Sequence, residues 1–438
     1  MTKRLLPIRA GAGRGAVLLF AVCFFLTSFT GRAASPDRFQ KVTLKNGLTV
    51  LYKVMKGYPM VSLNAVFPVG MNQEKEKGIA HLLEHMVFRG GSGNGFPEIA
   101  AATIRKGGSF SGATSFEATT YNYVVPKETV IEGLRIFNGS IWKTDFSEAH
   151  VALERRIVLH ELDLDYSLRY QVYPVFRYFF PEFSYTKETV ARIASPDLQK
   201  FHLSFYQPEN ATYILAGDFD LKTVLAELEK VDNGYGHQQV VRPEVREFDL
   251  PRGEVAEERN LYPYQFQVLM AYQFNGLSLR ERLILRLLAG IYGYSDRIDY
   301  LRNEYQIYNT VSRSVGNQDY FGIFYLERNQ PYSEAVYQEQ KAQIRKFIRQ
   351  FQKVDVKKEI KNLINELNLE IAQSQNSPED AASYQTQRIM DHDALSIDAL
   401  PELKRISAKD LTQFIAKYLN QPPTCWILVK NTKADGGN

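Results

Sequence analysis

The sequence predicts an α+β protein made of two related α/β-sandwich domains. Three observations carry that expectation. The chain has 438 residues, enough for two or three domains. Each half, about 200 residues long, mixes strand-type and helix-type segments in a similar style. Between the halves, residues 233–253 turn polar and rich in Gly, Gln, Pro and Arg, as a linker does. The expected order is a first domain over 34–232, that linker, and a second domain over 254–438. The abundance of aromatic residues, 26 Tyr and 27 Phe, favours substantial sheet.

Residues 1–33 stand apart as an expected secretory signal peptide. Lys3, Arg4, Arg9 and Arg14 form a basic start, Ala16 to Phe29 an apolar run, and Gly31-Arg32-Ala33 a small-residue cleavage site. An uncleaved membrane anchor is the rival reading, and the shortness of the run for a full span speaks against it. Cleavage would remove Lys3, Arg4, Arg9, Arg14 and Arg32 and no acid, taking the formal charge from +4 to −1. The basic balance therefore belongs to the leader, and nothing points to a nucleic-acid partner. One cysteine, Cys425, would remain, which excludes an internal disulfide. The expected address is the periplasm or the exterior.

Taken in order, Phe39 to Lys53 reads as a hairpin around the Asn46-Gly47 turn signal. Pro59 to Val69 is a strand with Val61, Leu63, Ala65 and Phe67 on one face. Gly78 to Phe88 is a helix. Pro97 to Lys106 is a short helix closed by Gly107-Gly108. Ser109 to Ala113 and Thr119 to Val125 form a second hairpin. Lys127 to Trp142 and Phe146 to Asp165 are helices, and the aromatic loop with Tyr173, Phe176, Phe179, Phe180 and Phe183 is core. A helix starts at Ser195, a strand spans Ala211 to Ala216, and a helix spans Leu221 to Val231.

The second half begins with a strand at Gln265 to Tyr272. Ser278-Leu279-Arg280-Glu281 is a capping box for a helix running to about Gly290. Strands follow around Val311 and at Gly322 to Glu327. Helices span Tyr332 to Phe351, Val356 to Ser374 and Ala408 to Tyr418, before a last strand at Cys425 to Val429.

The chemistry is concentrated in His81-Leu82-Leu83-Glu84-His85. On a helix, His81 and His85 lie one turn apart on one face and can grip one metal ion. Glu84 projects beside them, free to handle protons. This is the H-x-x-E-H pattern, the inverse of the H-E-x-x-H zinc signature. The bland alternative is two histidines and an acid on an ordinary helix surface. A catalytic zinc needs a third protein ligand, a carboxylate or imidazole from elsewhere, and keeps a fourth place for water. Glu154 and Glu161, seven apart on one helix, share a face beside apolar Ile157, Val158 and Leu159. His160 is a rival but points about 120° away from that face.

Several motifs together resemble one family, the inverted-zincin metallopeptidases of the pitrilysin and insulinase type. His81 to Gly90 resembles the family's metal helix almost residue for residue. Glu161 stands 76 residues beyond His85, where the family places its last ligand, and Glu154 occupies the family's second acid position. Gly107 to Ser115, with Thr119 and Tyr121, resembles its substrate strand, although Ser111-Gly112 replaces the usual Asn-Ala. Tyr206 to Ala211 before Gly217-Asp218 resembles the end of the family's first domain. Arg302 leading to Tyr308 resembles its arginine-to-tyrosine segment, one residue short.

The resemblance implies Zn2+ held by His81, His85 and Glu161, with Glu84 as general base and Glu154 orienting a ligand. It implies a peptide substrate laid along Ser109, Phe110, Ser111, Gly112 and Ala113, with Arg302 and Tyr308 as further substrate contacts. It also implies half of a pitrilysin-type clamshell, closed by a homodimer or by a related metal-free chain, as in the beta subunit of mitochondrial processing peptidase. The expected activity is that of a zinc endopeptidase on peptides or small unfolded proteins. The alternatives are a non-catalytic peptide-binding subunit and a metal amidase of cell-wall peptides.

Overall fold

Strands that are apolar on both faces need cover on both sides, and that requirement organises this chain. The computed structural model describes residues 39–89, 103–165, 174–181, 185–231, 241, 243–259, 261, 265–293, 307–351, 355–390 and 399–431. The leader and the early part of the 97–106 segment lie outside them, as do Tyr173, Phe183, Arg302 and much of the 233–253 stretch.

In chain order the first half has β1 (Gln40–Thr43), β2 (Thr49–Val54), β3 (Met60–Phe67), α1 (Ile79–Val87), β4 (Ser109–Thr114) and β5 (Thr119–Pro126). Then come α2 (Val130–Trp142), α3 (Glu148–Asp165), α4 (Lys187–Arg192), α5 (Ser195–Phe205), β6 (Thr212–Gly217) and α6 (Leu221–Leu228). The sheet order is β1-β2-β6-β3-β5-β4, which leaves β4 at an edge. The Asn46-Gly47 turn joins β1 to β2, with Gly47 at a φ of 88° that suits glycine.

The second half has β7 (Gly253–Arg259), β8 (Phe266–Asn275), α7 (Leu279–Gly293), β9 (Ile307–Val315) and β10 (Gln318–Glu327). It continues with α8 (Glu334–Gln350), α9 (Val356–Gln373), α10 (Pro378–Met390), α11 (Leu400–Leu403), α12 (Ala408–Phe414) and β11 (Cys425–Asn431). The sheet order is β7-β11-β8-β10-β9. The capping box at α7 is present: Ser278 N donates to Glu281 Oε2 at 3.0 Å, and Glu281 N to Ser278 Oγ at 3.3 Å. Two sheets, each layered with helices, make this an α+β fold of two related domains.

Each sheet is covered on one face by its own helices and on the other by a segment of the opposite half. Val61, Leu63, Ala65 and Phe67 face the core formed with α1, α2, α3 and α5. On the other face, Val66, Ile214 and Ala216 meet Ala381 and Ala382 of α10. There a buried polar bridge joins the halves: Asn64 Nδ2 donates to Thr386 Oγ1 at 3.0 Å. In return, a 3-10 turn at Pro174–Tyr178 and the following Phe179 cover Leu269, Tyr320, Phe324 and Ile427 of the second sheet. Phe176, Phe179 and Phe180 are thus core contributors, but to the second sheet.

The sequence reading misses α4, α10, α11 and β7. Among the described residues no helix is long and apolar enough to cross a membrane.

Candidate active site

Helix α1 begins under tight local control. Gly78 precedes it with a φ of 94°, and a Cβ there would lie 2.7 Å from Val190 and 3.2 Å from the Tyr185 ring. The free N–H groups of the first turn need acceptors. Glu74 supplies them, taking Gly78 N at 3.0 Å and Ala80 N at 2.9 Å. Burial raises the pKa of this carboxyl to about 7, against the pull of those two bonds. Leu82, Leu83, Met86 and Val87 are buried in the first core. That packing fixes the rotation of α1, so His81 and His85 share the opposite face, ring centroids 5.0 Å apart.

Helix α3 packs against α1 and brings Glu161 to the same point. Glu161 Oε2 lies 3.6 Å from His81 Nε2 and 3.3 Å from His85 Nε2. One ligand atom from each of the three residues falls within 4.8 Å of the others. Two imidazole nitrogens and one carboxylate oxygen form the donor set of catalytic zinc sites, which leave a position open. His160 is exposed and outside this group.

The outer ring nitrogens are held as well. His85 Nδ1 lies 3.1 Å from Glu154 Oε2, and Arg89 also binds Glu154. His81 Nδ1 lies 3.1 Å from the Tyr185 hydroxyl. Burial pushes His81 down to about 4, and the positive field of His85 acts in the same direction, so His81 is a neutral imidazole at pH 7. Burial also lowers His85, but the bonds to Glu154 and Glu161 outweigh it and raise its pKa to about 9. Glu161 is held below its usual range, first by its His85 hydrogen bond. Burial raises Glu154, yet His85 and Arg89 bring it below that range overall.

Glu84 is buried on the adjoining face, where Thr114 Oγ1 donates to its Oε2 at 2.7 Å. Burial raises its pKa, partly offset by the Thr114 bond and by His85. Thr114 ends the edge strand β4, on which Ser109, Ser111 and Ala113 point outward and are exposed. Phe110 points inward, 4.5 Å from Phe88 between ring centroids. Gly112 faces Glu84 so closely that a Cβ would lie 2.8 Å from its Oε1. Tyr308 belongs to β9, in the second sheet.

Glu74 and Tyr185 are contributors outside the sequence motifs, and Arg89 and Thr114 lie within the metal-helix and substrate-strand motifs without a role assigned to them there. Arg89 has a usable signal, being four residues beyond His85 on the same helical path. Tyr185 has none, since it comes from a loop more than a hundred residues away in sequence.

The sequence model of the insulinase family (peptidase family M16) matches residues 50–171, and that of the M16 inactive domain matches residues 192–363. The two cover well over half of the chain. The protein belongs to the insulinase-type M16 peptidase family. The first match contains His81, Glu84, His85, Glu154 and Glu161, whereas the match to the domain described as inactive begins at residue 192, within the first half, and runs into the second.

Among M16 relatives, an uncharacterized zinc protease of Rickettsia bellii is 29% identical over 205 residues, 44% of this chain and 50% of that protein. The probable zinc protease PqqL of Escherichia coli is 28% identical over 238 residues, 48% of this chain and 26% of PqqL. The solved first half of PqqL, described as a periplasmic protease, has a TM-score of 0.62 at 18% identity over 90% of this chain and 92% of that chain. A protease from Helicobacter pylori has a TM-score of 0.74 at 19% identity over 90% of this chain and 99% of the other. The match to curated relatives spans about half their length or less. The curated M16 relatives are named zinc proteases, and zinc is the family's metal.

Proposed function

We propose that this chain is a zinc endopeptidase that hydrolyses peptides or small unfolded proteins. The observation that carries the reading is the meeting of His81, His85 and Glu161 beside Glu84 at an open strand edge. His81, His85 and Glu161 hold the metal. When bound, zinc supplies Lewis acidity: it makes a water easier to deprotonate and polarises a peptide carbonyl. Glu84 takes the proton from the attacking water and delivers it to the leaving amine. Glu154 orients His85 through its outer nitrogen.

Strand β4 binds the substrate by adding it as a further strand, using main-chain groups of Ser109 to Ala113. Ser111 and Gly112 contribute backbone contacts, and Phe110 braces the strand from inside. Backbone reading of this kind gives broad sequence preference.

The proposed layout is a signal peptide at 1–33, a zinc domain at 34–232, a linker at 233–253 and a peptidase-like domain at 254–438. The periplasm is the proposed address. The leader pattern supports it, as does the likeness to PqqL, whose solved half is described as periplasmic. A second chain, either another copy or a related metal-free chain, closes the site, with Arg302 and Tyr308 as its candidate contacts.

The test is an assay of the purified mature chain on a peptide mixture. Cleavage is expected to stop with a chelator and return with added zinc. Cleavage that survives full removal of metal, or no cleavage by zinc-loaded protein with any peptide, would overturn the proposal.

A further inference from the structure

We propose that Tyr185 is a positioning residue for the metal: its hydroxyl accepts Nδ1–H of His81 and so keeps the Nε2 of that ring turned toward Glu161. This inference rests on the zinc reading above.

The two histidines are built alike. Each directs Nε2 at Glu161, at 3.6 Å for His81 and 3.3 Å for His85. Each has Nδ1 within 3.1 Å of an outer oxygen, from Tyr185 in one case and Glu154 in the other. An imidazole bound through Nε2 must carry its proton on Nδ1, and the partner of that proton fixes both tautomer and ring rotation. For His81 that partner is Tyr185.

Tyr185 is itself held in place, as a positioning residue must be. Its ring packs against the core that contains α1 and also against the core under the second sheet. Gly78 lies beneath it, where a Cβ would come within 3.2 Å of the ring. The next residue, Thr186, caps α4 through a bond from Thr189 N at 3.4 Å. The ring stands edge-on to His81, centroids 5.9 Å apart at 72°.

The two outer partners differ in charge. Glu154 is an acid, so it adds basicity to His85 as well as orientation. Tyr185 is a neutral phenol, so it contributes direction only. The packing has a further consequence. Tyr185 lies against the cluster in which Phe179 covers Gly322, Tyr320 and Phe324 of the second sheet. Packing of the later half thereby bears on the orientation of a metal ligand in the first half.

The experiment compares full-length mature wild type with Tyr185→Phe, both stripped of metal. Zinc is titrated in competition with a chromophoric chelator, the unfolding midpoint of the metal-free proteins is measured, and cobalt(II) is added to record its absorption bands. The expected result is a zinc dissociation constant about tenfold or more higher in Tyr185→Phe, with altered cobalt bands. Should the metal-free midpoint also fall, the cobalt bands still report ligand geometry, and altered bands support the assignment. Equal zinc affinity and identical cobalt bands in a zinc-binding wild type would overturn this inference alone. A wild type that binds no zinc would overturn the zinc reading itself.

Discussion

Thr114 and Glu84 are joined across a strand and a helix: the Thr114 hydroxyl donates to the Glu84 carboxylate at 2.7 Å. Thr114 lies on β4, so the strand proposed to grip substrate also aims the proposed base. Gly112, two residues earlier on the same face, leaves the space that Glu84 fills. Removing a hydrogen bond to a charged group costs about 1.5–3 kcal/mol. Thr114→Val is therefore expected to lower kcat about tenfold or more, with zinc affinity unchanged. Gly112→Ala is expected to act in the same direction by displacing Glu84. Steady-state kinetics with a parallel zinc titration check both. Full kcat in both variants would detach β4 from the base.

Glu84→Gln keeps the size of the side chain and removes its proton-accepting form. It is expected to retain zinc and lose hydrolysis by a factor of about 10²–10⁴. Activity above about one hundredth of wild type would count against Glu84 as the base.

The two acids of α3 are expected to differ sharply. Glu161 faces both Nε2 atoms, whereas Glu154 touches only the outer nitrogen of His85. Glu161→Ala should weaken zinc binding far more than Glu154→Ala, which should cost about 10–100-fold. A chelator-competition titration ranks them, and the reverse order would exchange their roles.

His202 makes the fold sensitive to acid. It is fully enclosed, with Nε2 2.8 Å from the Ile141 carbonyl, between the rings of Phe146 and Tyr206. Burial lowers its pKa from 6.5 to about 4. Below pH 6.5 the unfolded chain binds a proton that the folded chain refuses. Stability due to His202 is thus complete above pH 6.5 and is lost as pH falls toward 4, by about 3 kcal/mol in all. Urea unfolding at pH 7 and pH 4.5 should show a smaller acid loss in His202→Gln than in wild type. An equal loss would remove His202 as the cause.

Assembly is testable by mixing. Glu84→Gln and Tyr308→Phe proteins, each expected to be inactive alone, should recover activity together if a homodimer completes the site across its interface. A fully active Tyr308→Phe protein would take Tyr308 out of the reaction and favour a separate metal-free partner chain.

His81, Glu84 and His85 are legible in the sequence because the helix is a local structure. One turn places residues four apart on one face whatever the rest of the chain does. The same local logic makes the Ser278–Glu281 capping box and the Asn46-Gly47 turn readable. The Val61, Leu63, Ala65 and Phe67 face of β3 follows from the period of two along a strand.

What tertiary structure decides is non-local. Strand β7 is a charged edge, recognisable as a strand only through its pairing with β11. Helix α10 buries Ala381, Ala382 and Thr386, residues too small to mark a hydrophobic stripe, and its place on the first sheet comes from shape. Helical geometry turns His160 away from the acidic face, but only the resemblance singles out Glu161 from Glu154. The packing of α3 on α1 turns its carboxylate onto both imidazoles. Tyr185 and Thr114 reach the site because a loop and an edge strand are folded against one helix face. No pattern within a short window of sequence encodes those contacts, since each depends on chain segments that come together only when the cores form.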